Sequence, residues 1–138
     1  MATIQVEIEI DAPVDKVWDV VSDIDNEPKF WKGTKEVRNI SKEENTVKRE
    51  VTIAFRDQKC LQEVRIYPKE KIEAKFTKGI INGEKIVSLA PKNGKTLLST
   101  YWDIKLTGMM GMFTGMIKKH IKSGTEQAMQ SIKEEIER

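Results

Sequence analysis

Two side chains stand out as candidates for chemistry, the single histidine His120 and the arginine Arg49. His120 falls on or beside an apolar stripe with helical spacing, where an imidazole could serve as a general acid or base, or hydrogen-bond to a ligand. No motif supplies the partner that catalysis requires, and the neighbouring Lys118, Lys119 and Lys122 favour the alternative of a solvated histidine. The sequence therefore predicts no catalytic residue.

Arg49 shares its parity along a predicted strand with Val47, Val51 and Ile53, so it is expected to face the same way as these apolar side chains. An inward arginine needs a partner: a carboxylate or carbonyl of a ligand, or an internal glutamate. The alternative is an arginine near a sheet edge that extends to water. Gln62 is a weaker polar candidate on the same inner face.

The composition excludes several other chemistries. A single cysteine, Cys60, excludes a disulfide scaffold and a multi-cysteine zinc site, and one histidine excludes the usual His-rich metal clusters, so no metal and no cofactor is predicted. The charges, 24 Lys+Arg against 22 Asp+Glu, are too balanced to indicate a nucleic-acid partner.

The sequence also constrains the location and the domain organisation of the protein. No apolar run approaches the ~20 residues that span a membrane, and no secretory signal is visible, so a cytoplasmic protein is expected. The lysines around His120 leave transient contact with an anionic membrane open. The length, 138 residues, suits one domain over residues 1–138, and the oligomeric state cannot be read from the sequence.

The elements that would position these residues follow from periodicity. Apolar residues alternate with polar ones from Ile4 to Ile10, which predicts a half-buried strand. Two short helices follow: one begins at Pro13 and ends near residues 22–23, and the other has Pro28 in its first turn and ends at Trp31.

Residues 34–106 predict about six more strands joined by short turns, hence antiparallel neighbours. The turns are predicted at residues 41–45, 56–58, 68–70, 82–83 and 92–94. A Met- and Gly-rich stretch, 108–116, suits either an adjustable cavity mouth or a loop that leads into a helix. The helical pattern over residues 112–137 then predicts a helix roughly 39 Å long.

A sheet with one apolar face and a long helix with one apolar stripe must cover each other. The order of the elements, β-α-α-β6-α, therefore predicts an α+β fold in which a curved antiparallel sheet of about seven strands wraps around the long helix. One segment of the chain has the pattern Ile8-x-Ile10-x-Ala12-Pro13, followed by Val17-Trp18 to Asp23 and then Phe30-Trp31. On these residues the chain resembles the helix-grip, START-related superfamily of polyketide cyclase/dehydrase-like, lipid-transport-like and pollen-allergen-like domains.

The resemblance implies an internal cavity for a hydrophobic small molecule between sheet and helix. The inward residues expected to line it, with Trp31 near the entrance and Arg49 and Gln62 as polar groups, are Val51, Phe55, Val64, Ile66, Phe76, Thr100, Trp102, Phe113, Met116 and His120. The alternative is that the same residues form a filled core, because a core and a ligand lining have the same composition.

Three functions remain open on this basis. The first is a non-catalytic module that binds or carries a lipid, an isoprenoid quinone or a polyketide-like compound. The second is a cyclase/aromatase-type or hydrolase enzyme on the same fold, which would need a polar inner constellation. The third is a protein-interaction or chaperone-like module that uses the sheet edge or the helix.

Overall fold

A computed structural model describes residues 2–138, except for the side chains of residues 108–110. Seven strands form one sheet: β1 (Ala2–Ile10), β2 (Thr34–Glu43), β3 (Thr46–Ile53), β4 (Lys59–Tyr67), β5 (Lys71–Lys78), β6 (Ile81–Lys92) and β7 (Lys95–Leu106). The α-helices are α1 (Val14–Val21), α2 (Glu27–Phe30) and α3 (Thr114–Glu137). Short 3-10 turns occupy Ile24–Asn26, Phe55–Asp57 and Gly108–Phe113.

The sheet is antiparallel throughout, in the order β1-β7-β6-β5-β4-β3-β2. Consecutive strands from β2 to β7 are neighbours, and β1 is the edge strand that pairs with β7, where Ile4 lies opposite Trp102. The strands β6 and β5 therefore lie near the middle of the sheet. This curved seven-stranded sheet with one long helix is the helix-grip fold that the sequence predicted.

The two short helices form where the sequence changes period. Pro13 takes an extended backbone at the N-cap of α1, and Asp15 in the first turn complements the helix dipole. Val17 and Trp18 are the buried side chains of α1. After the 3-10 turn Ile24–Asn26 the chain enters α2, with Pro28 in its first turn. This segment covers part of the inner face of the sheet, where Ile24 and Glu27 contact Arg49.

The long helix α3 packs against β1 and also contacts α1, α2 and β7. Its inward stripe contains Ile117, Thr125, Ala128, Met129, Ile132 and Ile136. Its last turn is tied to the chain after β1, because the Asp11 N–H donates to Glu137 Oε2 at 2.8 Å. That bond, with Lys133, lowers the pKa of Glu137. The helix begins at Thr114, two residues later than predicted.

One predicted turn is wrong. Asn93 and Gly94 form the β6–β7 hairpin turn with positive φ angles of 51° and 82°, as expected for an Asn-Gly pair. Asn82 and Gly83 instead lie inside β6, and the β5–β6 turn is made by residues 79–80. Gly83 is needed there for another reason: its φ is +122° and its Cα hydrogen faces the backbone of Asp103.

Gly83→Ala is expected to destabilise the protein by about 3 kcal/mol. The added Cβ would lie 2.1 Å from the Asp103 carbonyl oxygen, a backbone atom that cannot move without disturbing the β6–β7 pairing. Gly94→Ala is the matched control, because Gly94 also has a positive φ but open space around it. It should cost about 1 kcal/mol in urea unfolding. Equal losses in the two variants would contradict the close approach.

Candidate functional site

The inner face of the sheet carries a buried arginine that is fully engaged by the protein. Arg49 on β3 is 2% exposed. Its Nη2 donates to Glu27 Oε1 at 2.5 Å, its Nε to Gln62 Oε1 at 2.9 Å, and its Nη1 to the Ile24 carbonyl at 3.2 Å. All three guanidinium nitrogens therefore have protein acceptors, and the internal glutamate is Glu27.

The strand register explains this arrangement. Arg49 and Gln62 are direct cross-strand partners on β3 and β4, so their side chains meet on the same face. Ile24 and Glu27 come from the helical segment before β2, which lies over that face. Arg49 therefore fastens the α2 segment to the sheet.

A second buried cation, Lys85, lies on β6 and was not among the predicted site residues. It is 7% exposed, between Trp102 on β7 and Ala74 on β5 in the strand register. Its Nζ lies 3.2 Å from the centroid of the Trp31 ring and 5.1 Å from that of Trp102. Among the described residues, no acceptor or carboxylate oxygen lies within hydrogen-bond or ion-pair distance of Nζ.

Burial lowers the pKa of Lys85 to about 8, because the ammonium loses its hydration. The carboxylate of Glu27 opposes that shift and the guanidinium of Arg49 adds to it. At neutral pH the side chain therefore remains mainly protonated inside the protein. This region holds two cations and one carboxylate.

The two tryptophan rings that face the Lys85 ammonium belong to a group of three aromatic side chains on the inner face. Phe76 and Trp102 stack with centroids 6.3 Å apart, and Trp31 meets Trp102 edge to face at 6.4 Å. The indole N–H of Trp102 donates to Thr125 Oγ1 at 3.0 Å, which fixes the ring against α3. We call Trp31, Phe76, Trp102 and Lys85 the aromatic-lysine cluster.

A small, partly open cavity lies beside this cluster. Its volume is about 20 Å³, enough for about one water molecule. Its lining includes Glu27, Trp31 and Thr100, and the Thr100 hydroxyl is buried without a hydrogen-bond partner. Small-molecule sites usually have volumes of roughly 300–1,000 Å³, so a ligand would require the side chains here to move.

Most of the predicted lining residues do face the interior. The buried ones are Trp31, Arg49, Val51, Gln62, Val64, Phe76, Thr100 and Trp102, and the half-buried ones are Phe55 and Ile66. The structure thus brings together the aromatic and polar candidates of the sheet and the α2 segment.

Three residues predicted to point inward do not. Phe113 is 40% exposed, Met116 is 49% exposed and His120 is exposed as well. The inward positions belong to Ile117 and Ile121, and each α-helical residue is rotated by about 100° from the next, which carries Met116 and His120 out of the interface. Part of the Met- and Gly-rich stretch, the side chains of 108–110, lies outside the described residues.

The pattern that could have identified Lys85 is its parity. Lys85, Val87 and Leu89 alternate with polar or half-buried residues, so all three share the inner face. The turn predicted at 82–83 would end the strand there, so Lys85 was not expected to face inward, whereas β6 continues through these residues. Within the described part of the chain, no three His, Cys, Asp or Glu side chains are grouped to hold a metal ion, and no helix is long and apolar enough to span a membrane.

Comparison with known proteins identifies the family. The family profile described as polyketide cyclase / dehydrase and lipid transport matches residues 1–137. The chain belongs to this family. Comparison with curated protein sequences returned no significant match.

Solved structures share the fold at low sequence identity. A Thermus thermophilus protein superposes with a TM-score of 0.84 at 14% identity, over 98% of this chain and 97% of that one. The Zhui aromatase/cyclase from Streptomyces has a TM-score of 0.80 at 13% identity, over 99% and 94%. A START superfamily protein from Mycobacterium smegmatis has a TM-score of 0.66 at 19% identity, over 90% and 94%. These likenesses establish the fold.

Proposed function

We propose that the protein binds a hydrophobic small molecule between the sheet and α3, at the aromatic-lysine cluster. The observation that carries this proposal is a pair of polar groups on one apolar inner face. Thr100 Oγ1 is buried without a hydrogen-bond partner, and the ammonium of Lys85, a residue that is 7% exposed, contacts the rings of Trp31 and Trp102 and has no hydrogen bond or ion pair among the described residues. Buried polar groups in folded proteins are nearly always paired. A guest molecule among aromatic rings would supply the missing partners.

Binding requires the interior to open, because the existing cavity holds about one water molecule. Trp31 is the side chain to move: it follows α2, covers Lys85 and lines the cavity. Behind it Lys32 and Gly33 lead into β2, and Gly33 has open space around its Cα. In the bound state the aromatic body of the ligand takes the place of the Trp31 ring over Lys85.

The three tryptophans allow a direct test. We expect 2-naphthalenemethanol, titrated into protein labelled with 5-fluorotryptophan, to shift the ¹⁹F resonances of Trp31 and Trp102, which belong to the aromatic-lysine cluster. Trp18 on α1 is outside that cluster and serves as an internal control. Assignments come from single Trp→Phe variants. Saturation of the Trp31 and Trp102 shifts with Trp18 unchanged supports the proposal.

If 2-naphthalenemethanol and 2-naphthoate both leave Trp31 and Trp102 unshifted up to millimolar concentration, the aromatic-lysine cluster is a filled core and the proposal fails. His120→Ala is a surface control and should leave the titration unchanged, because His120 is exposed.

One observation favours a second candidate, a cyclase/aromatase-type enzyme. An ammonium with a pKa of about 8 in an enclosed aromatic site is suited to donate a proton to an enolate oxygen near neutral pH. One structural neighbour is named an aromatase/cyclase. Turnover of a linear poly-β-ketone, with loss of water detected by mass and with abolition in Lys85→Met, would distinguish the enzyme from a carrier.

A further inference from the structure

We propose that the ligand is a hydrophobic acid whose oxyanion, a carboxylate or an enolate, is bound by Lys85 Nζ. This inference rests on the proposed function and specifies the chemical class of the ligand. It is carried by the charge and geometry of the inner face, where a buried ammonium faces aromatic rings and has no counter-ion of its own.

The interior has an excess of positive charge. The buried or half-buried charged groups at the cluster are Arg49, Lys85 and Glu27, and the one carboxylate is already bonded to Arg49. Glu27 from α2 and Arg49 from β3 are the charged groups that face Lys85. The elements on its other sides present Trp102 from β7 and Ala74 from β5, which carry no charge.

Aromatic contacts alone do not compensate a buried ammonium. The faces of Trp31 and Trp102 attract the cation, but such interactions are weaker than the hydration that the ion gives up. An oxyanion placed on Nζ would complete the pairing that a buried charge requires. It would also leave the rings of Phe76 and Trp102 to contact the apolar body of the ligand.

Arg49 is not the anchor, although it is the more buried cation. Its nitrogens are engaged by Glu27, Gln62 and the Ile24 carbonyl, and a ligand could recruit it only by breaking the attachment of α2. Lys85 has three N–H donors and no acceptor among the described residues. A lysine ammonium acts as a point charge, which suits either a carboxylate or an enolate.

The test compares two probes of nearly equal shape, 2-naphthoate and 2-naphthalenemethanol, by isothermal titration at pH 7. We expect the wild-type protein to bind the acid at least tenfold more tightly than the alcohol. Lys85→Met should weaken 2-naphthoate at least tenfold and change 2-naphthalenemethanol less than threefold. Lys119→Met, an exposed lysine on α3, should change neither, which separates the buried charge from surface electrostatics.

A pH series keeps the inference testable without any variant. Affinity for 2-naphthoate should fall as the pH is raised from 7 to 10, because Lys85 loses its proton in that range, whereas affinity for 2-naphthalenemethanol should stay constant.

The outcomes separate the two proposals. Equal affinity for the acid and the alcohol, with Trp31 and Trp102 shifting for both, overturns the ligand class and leaves the proposed function standing. A preference for the acid that persists in Lys85→Met also overturns the assignment of Lys85. Failure of both probes to bind overturns the function and the ligand class together.

Discussion

Arg49→Met is expected to lower the free energy of unfolding by about 3–5 kcal/mol, the cost of breaking a buried ion pair by removing one partner. The substitution leaves the Glu27 carboxylate, Gln62 Oε1 and the Ile24 carbonyl without their donor. It also releases the α2 segment from the sheet. Urea denaturation at pH 7, followed by far-ultraviolet circular dichroism, measures the loss.

Arg38→Met is the matched control for Arg49→Met. Arg38 lies on the neighbouring strand, is 64% exposed and has a 3.5 Å ion pair with Glu50. Exposed pairs of this kind contribute roughly 0–1 kcal/mol. In the double variant Arg49→Met/Glu27→Met, part of the stability should return, because no unpaired carboxylate remains. If the two arginine variants were equally stable, Arg49 would not fasten α2 to the sheet.

The opposite result is expected at the other buried cation. Lys85→Met should raise the free energy of unfolding at pH 7 by about 1–3 kcal/mol. The protonated lysine is penalised in the folded state, where its pKa is about 8 rather than the ordinary 10.5. This difference corresponds to about 3 kcal/mol at the conversion of 1.36 kcal/mol per unit. Loss of the contact with the Trp31 ring offsets about 1–2 kcal/mol of it.

The gain in stability from Lys85→Met should decrease at high pH. Because the folded-state pKa is lowered, the penalty is fully present below pH 8, decreases as the pH rises from 8 to 10.5, and is lost above 10.5. The difference between Lys85→Met and wild type should therefore shrink over that range. Lys119→Met should show no such difference. A Lys85→Met variant less stable than wild type at pH 7 would show that the ammonium is compensated.

The inner face of the sheet could be predicted from the sequence wherever apolar residues alternate. Val51, Val64, Phe76 and Trp102 follow that alternation, and the structure places them in the core. The order of strands and helices was likewise accessible, because the period changes sharply at Pro13 and again after Leu106. These are local signals that tertiary packing reinforces.

Lys85 was not predicted to face inward because two local signals indicated otherwise. An Asn-Gly pair normally marks a hairpin, but here the Gly83 backbone is needed for close pairing with β7. A lysine on an alternating strand is expected on the solvent-exposed face of the sheet. Only the spacing of Lys85 from Val87 and Leu89, which puts all three on one face, indicates otherwise. His120 was wrongly expected to face inward because an apolar stripe defines the rotation of a helix about its axis only to within one residue. One residue corresponds to a rotation of about 100°.

The pairing of β1 with β7 has a consequence for how the chain folds. Ile4 and Trp102 are opposite each other although most of the chain lies between them, so a large loop must close before β1 gains its partner. Pairings of such long range slow folding and leave apolar surface exposed in the meantime. During synthesis β1 remains without its neighbour until β7 emerges, and α3, which covers β1, emerges later still. The first strand made is therefore among the last to be protected from aggregation.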